Sequence, residues 1–437
     1  MKRADRILVG AGCLLLLLIS WFVAVNSKSA AEKQIELMRQ ATELIGDGIY
    51  IRAVPLLEEA ADYNTKYTPD AESELKRVYL ELIEQRGFRR KYTGLLEKQM
   101  SSVDALPEIF IEAAHYYIGI SRVPDALATL KTGIERTGSE ALVSLYEKNR
   151  YLYETNRTAY DNVTAVFGST IQVQTGGLWG IAKSDGVLLI PCEYEAISTF
   201  YDDRAVVMKN AEVYAIDNNN NRIEIIHEDV DEIGNLADNR IPLLINGSWV
   251  RATGEFALGT IGFEQLGMYS GGYAAAKENG KWGVIDLAAK WLIPAEYDEI
   301  ITDELGRCYA RGAVFARKDG VVSLLAGGRL TGETYEDAAP FSSEGYAAVK
   351  RNGKWGFIDE QGTVMIDFLF DDALSFGQHL AAVKQGEFWG YINRQGDIVI
   401  EPVFLAAKSF SNGSAPVFTQ RGWQFITLLE YKKKVGL

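Results

Sequence analysis

The chain has 437 residues, 47% hydrophobic and 24% charged, with a formal net charge of -14. That length exceeds what one compact core accommodates, and that composition excludes wholesale disorder. Nearly all of the acidic excess falls after residue 164. Such a surface repels phosphate backbones, which argues against nucleic acid as a partner.

The first element is apolar. Residues 7–25 carry no charge, and Leu14 to Ile19 is an unbroken aliphatic run. At about 1.5 Å per residue this makes roughly 28 Å of helix, close to the hydrocarbon thickness of a bilayer. Lys2, Arg3 and Arg6 precede it, so the positive-inside tendency leaves residues 1–6 as a cytoplasmic tail. The expectation is a single-pass signal-anchor helix at the cell membrane, with the bulk of the chain extracytoplasmic. Val25-Asn26-Ser27 offers only a weak cleavage site, and Cys13 lies on the wrong side of the aliphatic run for a lipoprotein.

Residues 30–160 repeat apolar positions at three and four with little proline, which predicts helices. Leu37, Ala41 and Leu44 share one face, and Ala53, Leu57 and Ala60 another after the break at Gly46-Asp47-Gly48. Leu80 and Ile83 pair with Leu95 and Leu96. Phe110, Ala113, Ala114 and Tyr117 pair with Ala126, Leu130 and Gly133. These hairpins resemble tetratricopeptide-like repeats, with Ala53 and Ala126 at that family's small position and Tyr92 departing from it. The segment reads either as a spacer or as a groove for a peptide or partner helix.

From Ser169 alternation replaces the helical period, and Gly and aromatic residues rise. Trp179, Trp249, Trp282, Trp355, Trp389 and Trp423 share one context, and Tyr214 and roughly Val321 hold the same phase in two eroded copies. Successive gaps are 35, 35, 33, about 39, 34, 34 and 34 residues. Other columns keep step: Ile190, Ile293, Ile366 and Ile400 eleven residues on, and Tyr194, Tyr297, Phe370 and Phe404 fifteen on. Each unit reads as three or four short strands too small to cover their own apolar face, so units must stack. The structural repeat core is therefore expected at Trp179, Tyr214, Trp249, Trp282, Trp355, Trp389 and Trp423, as buried rungs.

The Gly-Lys-Trp-Gly-x-Ile-Asp signature at 280–286 and 353–359 resembles the WG-repeat (KWG-repeat) proteins of bacteria over about residues 170–430. The resemblance implies a surface or envelope protein with no assigned catalysis. It supplies no catalytic residues. Seven periods plus a half-unit at Trp423 favour a β-propeller of seven or eight short blades over an open β-solenoid. A strand at Thr170 to Gln174 and the last strands near Trp423 would then share one blade.

Candidate chemistry is sparse. Asp217, Asp286, Asp359 and Asn393 recur at a turn, where side chains that bond nearby backbone explain them better than a ligand ring. Asp217 to Glu228 mimics a calcium loop but has Arg222 at the glycine position and no flanking helices. His115, His227 and His379 stand alone, and Cys192 and Cys308 fall at different repeat phases, which argues against a metal site or a disulfide. Trp291, Tyr269, Tyr273, Tyr309 and Tyr346 lie near loops and are candidates for stacking on a ligand. The expectation is a multidomain, non-enzymatic scaffold without cofactors: an anchor at 7–25, a helical domain at 30–160, an all-β WG-repeat domain at 165–430 and a basic tail at 431–437. It would present the β module to a protein or glycan. The alternative is a cell-envelope enzyme acting on glycans through an unphased carboxylate pair.

Overall fold

The computed structural model describes residues 30–225, 229–253 and 255–432. It divides into two compact units, one helical and ending at Asn149, the other all-β from Arg150. No helix among the described residues is long and apolar enough to cross a membrane. This corrects the expectation of a single-pass membrane protein, whose tail at 1–6 and anchor at 7–25 lie outside the described residues. So do Cys13, His227, Glu228 and most of the basic tail.

The helical unit contains seven helices among the described residues: α1 (30–46), α2 (Tyr50–Ala61), α3 (Thr68–Glu81), α4 (Phe88–Ser101), α5 (Pro107–Gly119), α6 (Val123–Thr137) and α7 (Glu140–Asn149). Proline occupies the first turn of α3, α5 and α6, where its missing N–H costs no intrahelical bond. Neighbouring helices are antiparallel hairpins packed through small residues. Ala41, Ala53, Ala60, Ala71, Ala113, Ala114 and Ala126 are fully buried. Gly133 brings α6 so close to Phe110 and Leu142 that a Cβ would lie 2.8 Å from the Phe110 ring. The unit ends eleven residues before the expected 160, because Tyr153–Thr155 is already a strand of the β unit.

The β unit is an eight-bladed propeller of four-stranded antiparallel sheets. The first blade uses Asn162–Val163, Thr170–Thr175, Leu178–Lys183 and Leu188–Tyr194. Later blades begin at Ala196, Val230, Gln265, Glu299, Asp337, Asp372 and Ala406. The eighth takes three strands from the C-terminal end and its fourth, Tyr153–Thr155, from the N-terminal end of the unit. The shared blade is thus real, but Tyr153–Thr155 closes it instead of Thr170 to Gln174, which belongs to the first blade. Closure leaves no open end to the stack.

The Trp-Gly pair has a backbone cause. Trp179 faces Tyr194, and Ile181 faces Ile190, so one residue, Gly180, is opposed by three. The same bulge recurs with Trp282 and Tyr297, Trp355 and Phe370, and Trp389 and Phe404. A Cβ at Gly180, Gly283, Gly356 or Gly390 would run into the carbonyl oxygen of Ile190, Ile293, Ile366 or Ile400. Where the repeat has Ala215, Val250 or Ser323 instead, the outer strand pairs residue for residue at that point.

The indoles are less deep than expected. Trp355 is buried, whereas Trp179, Trp249, Trp282, Trp389 and Trp423, like Tyr214, are half-buried. The deepest positions lie two residues on, at Ile181, Val284, Phe357, Tyr391 and Phe425, none more than 1% exposed. These side chains fill the clusters between successive blades, at roughly 25 cal/mol per Å² of apolar surface buried.

Candidate functional site

Four turns show what the phased acids and amides do. Oδ1 of Asp217, Asp286, Asp359 and Asn393 each accepts two backbone N–H bonds, from residues two and four places on, at 2.8–3.0 Å. The expected calcium loop is one of these turns, with Asn220 directed to Tyr194 and Glu193. Among the described residues no cluster of His, Cys, Asp or Glu could hold a metal ion. Cys192 and Cys308 are free thiols, and burial pushes both up in pKa, Cys308 to about 12.

A second set of turns links blades. Asp238 accepts from the Gly272 N–H at 2.8 Å, Glu344 from His379 at 2.8 Å and Gln378 from Gly413 at 2.5 Å, each one blade ahead. Glu344 also meets the His379 ring at 3.1 Å and Arg394 at 2.7 Å. Burial works to raise its carboxyl, but these bonds hold it below its ordinary value.

Val322, not Val321, faces Tyr335 as Trp282 faces Tyr297, so the long gap is 40 residues, and the insertion behind it occupies the axis. Leu305 packs with Ala237 and Met268, and with Ala165, Phe167 and Tyr201, so five consecutive blades meet in one cluster. Asn235 donates to the Leu305 carbonyl at 3.2 Å, and Glu304 forms an ion pair with Lys408 of the eighth blade. Asp303 is bonded to Arg307 at 2.6 Å. The axial carboxylates are therefore matched with cations rather than with each other.

The five aromatic candidates do not share one site, although two of them pair. Tyr269 is fully buried, and Trp291 stands edge-on to Phe263 at 6.0 Å. Tyr273 and Tyr309 tilt against one another at 4.3 Å. Tyr346 contacts Phe376 at 5.1 Å and lies under the Arg394 guanidinium at 5.7 Å.

A groove of about 510 Å³ opens on the helical unit, lined by Leu80, Tyr92, Glu108, Ile111, Glu112, His115 and Tyr116. Its floor is apolar and aromatic, with Tyr92 and Tyr116 in contact at 4.7 Å. Tyr92 donates to Glu112 at 3.0 Å, and Glu112 also pairs with Lys76. Burial, then the Glu112 charge, pushes the Tyr92 hydroxyl well above its ordinary range. The Tyr116 hydroxyl is buried without a hydrogen-bond partner among the described residues. Leu80 was expected on a core face, yet 43% of it is exposed, because α3 buries Ala71, Leu75, Val78 and Tyr79 instead.

The sheet register, the glycine column and the turn chemistry all follow one 34-residue unit. A family model described as a WG containing repeat matches residues 179–211, 260–282, 282–304, 334–355, 355–387 and 389–420. The chain is a WG-repeat protein. No curated protein matches it. Among solved structures, the WD40 domain of SCAP from fission yeast is similar at 8% identity, covering 64% of this chain and 98% of that one, with a TM-score of 0.38. The β-propeller domain of Cps50 (Swd1) from Myceliophteria thermophila shares 11% identity over 57% of this chain and 99% of that one, with a TM-score of 0.33. The eight-bladed assignment rests on this chain's own strand pairing.

In this WG-repeat protein Glu108, Ile111, Glu112 and Tyr116 of the groove escaped sequence reasoning, which followed another face of α5 and noted Leu80, Tyr92 and His115 for other reasons. Glu108, Ile111, Glu112, His115 and Tyr116 carry the helical spacing of a second face. That acidic–apolar stripe was the available signal.

Proposed function

We propose that this WG-repeat protein is a non-catalytic binding scaffold for a protein partner, with its propeller as a rigid platform and its helical groove as the peptide contact. The observation that carries this is the groove itself, lined by the apolar and aromatic Leu80, Tyr92, Ile111 and Tyr116 with Glu108 beside them, Glu112 being already paired with Lys76. Its size is that of a ligand pocket, and Glu108 complements a cation. The occupant is a peptide segment with a large apolar side chain beside a lysine or arginine. A protein is favoured over a glycan because the five aromatic candidates of the propeller are engaged with one another or with the core. The absence of catalysis is part of the proposal. It is supported by the turn carboxylates being spent on backbone N–H groups and the axial ones on Lys408 and Arg307.

The test is peptide-display selection on the intact protein, beside a glycan array. Selection is expected to enrich apolar–basic peptides whose binding falls at least tenfold in Ile111→Asp and Leu80→Asp, with a blank glycan array. Glycan binding, or peptides indifferent to both substitutions, would overturn the reading.

A further inference from the structure

One core column of the propeller is broken in a single blade. The residue two places beyond the tryptophan position is apolar or aromatic and at most 1% exposed in the other seven blades, from Ile181 in the first to Phe425 in the eighth. The third blade puts Arg251 there. Its phase is intact, since Trp249 faces Phe263 as Trp282 faces Tyr297. A charged group thus stands where every sister repeat buries hydrocarbon.

The neighbour across the interface is also altered. Phe357 meets Phe376 of the next blade at 5.0 Å, and Tyr391 meets Phe410 at 4.7 Å. The equivalent residue facing Arg251 is Tyr269, which is fully buried. Nη1 of Arg251 and the Tyr269 hydroxyl are both buried, and neither has a hydrogen-bond partner among the described residues. By contrast, the Tyr391 hydroxyl donates to the Lys408 carbonyl at 2.9 Å. Burial pushes the Tyr269 hydroxyl up to about 12, against the opposing charges of Arg251 and then Arg240. The nearby Asp286 already accepts from two backbone N–H groups.

Two buried donors, one of them cationic, without an acceptor leave an unsatisfied demand for negative charge. We propose that Arg251 and Tyr269 hold a small oxyanion, a carboxylate or inorganic phosphate, between the third and fourth blades. The guanidinium offers a planar fork of N–H donors to two oxygens, and the phenol supplies a further O–H. Arg251 is half-buried, so part of its side chain meets solvent.

The test is calorimetric titration of the intact protein with sodium acetate and, separately, sodium phosphate, at matched ionic strength. At least one anion binds the wild type, and that binding weakens tenfold or more in Arg251→Leu. Arg251→Leu restores the residue class of the sister blades, so it folds, and its melting temperature no longer responds to the anion. Tyr269→Phe keeps the ring and weakens binding several-fold, which carries the test if the first variant misfolds. Acetate alone marks a carboxylate site, phosphate alone a phosphate site. No binding of either anion, or binding unchanged in both variants, overturns the proposal.

Discussion

Gly356 lies under the Ile366 carbonyl so closely that a Cβ there would stand 2.7 Å from the oxygen and 3.0 Å from the following backbone. Backbone cannot swing aside as a side chain can. Gly356→Ala is expected to cost about 1–3 kcal/mol in urea unfolding. Ala215, in the same column of a blade that pairs residue for residue at that point, is the control. Ala215 is fully buried, so Ala215→Gly should also cost about 1–2 kcal/mol, through chain entropy and the lost methyl: a methyl stabilises that column and destabilises this one. A Gly356→Ala variant as stable as the wild type would remove the steric account of the Trp-Gly pair.

Closure of the ring hangs on the short segment after Arg150. The Asn156 N–H donates to the Phe425 carbonyl at 2.9 Å, and its side-chain oxygen accepts from the Phe425 N–H at 3.1 Å. Asn156→Ala leaves that N–H unmet and is expected to cost about 1–3 kcal/mol. Amide hydrogen exchange across Trp423 to Leu428 should quicken selectively. Uniform exchange throughout the propeller would contradict it.

Glu344 and Glu304 should respond to pH with opposite signs. The Glu344 carboxyl lies below its ordinary value of 4.5, despite burial, through His379 and Arg394. Its contribution is therefore full above that value and is lost as pH falls through the depressed one. Glu344→Gln should flatten the acid limb of stability against pH, read by denaturant midpoints below about pH 4.5.

At the axis, burial raises the Glu304 carboxyl above 4.5, with Lys408 opposing. Its contribution is full below 4.5 and is lost as pH rises through the raised value. Glu304→Gln should lessen the loss of stability on going upward from pH 4.5. A steeper loss in the variant would contradict the assignment.

Much of the propeller was legible because its columns are physical partners. The residues eleven and fifteen beyond each tryptophan face the ends of the bulge, so Ile366 and Phe370 had to keep phase with Trp355. The blade count was not legible. Tyr153–Thr155 is three residues long and carries no repeat signature, and the inner strands such as Ala196–Ile197 are too short to alternate. Nor could spacing show that Leu305 fills the axis, since that depends on five blades meeting. The tryptophans marked the period well and the depth poorly. Their indoles sit at half-buried positions, whereas Phe357 and Tyr391 hold the interior. Arg251 was visible, but only the register of Trp249 with Phe263 shows that it occupies a core position.

The groove on the helical unit can be tested by exchanging charge. The affinity of a selected apolar–basic peptide is measured by fluorescence anisotropy for the wild type and Glu108→Lys, then repeated with the peptide's basic residue changed to glutamate. The predicted result is a loss of tenfold or more in Glu108→Lys and its recovery with the reversed peptide. Affinities indifferent to both changes would show that the peptide binds elsewhere.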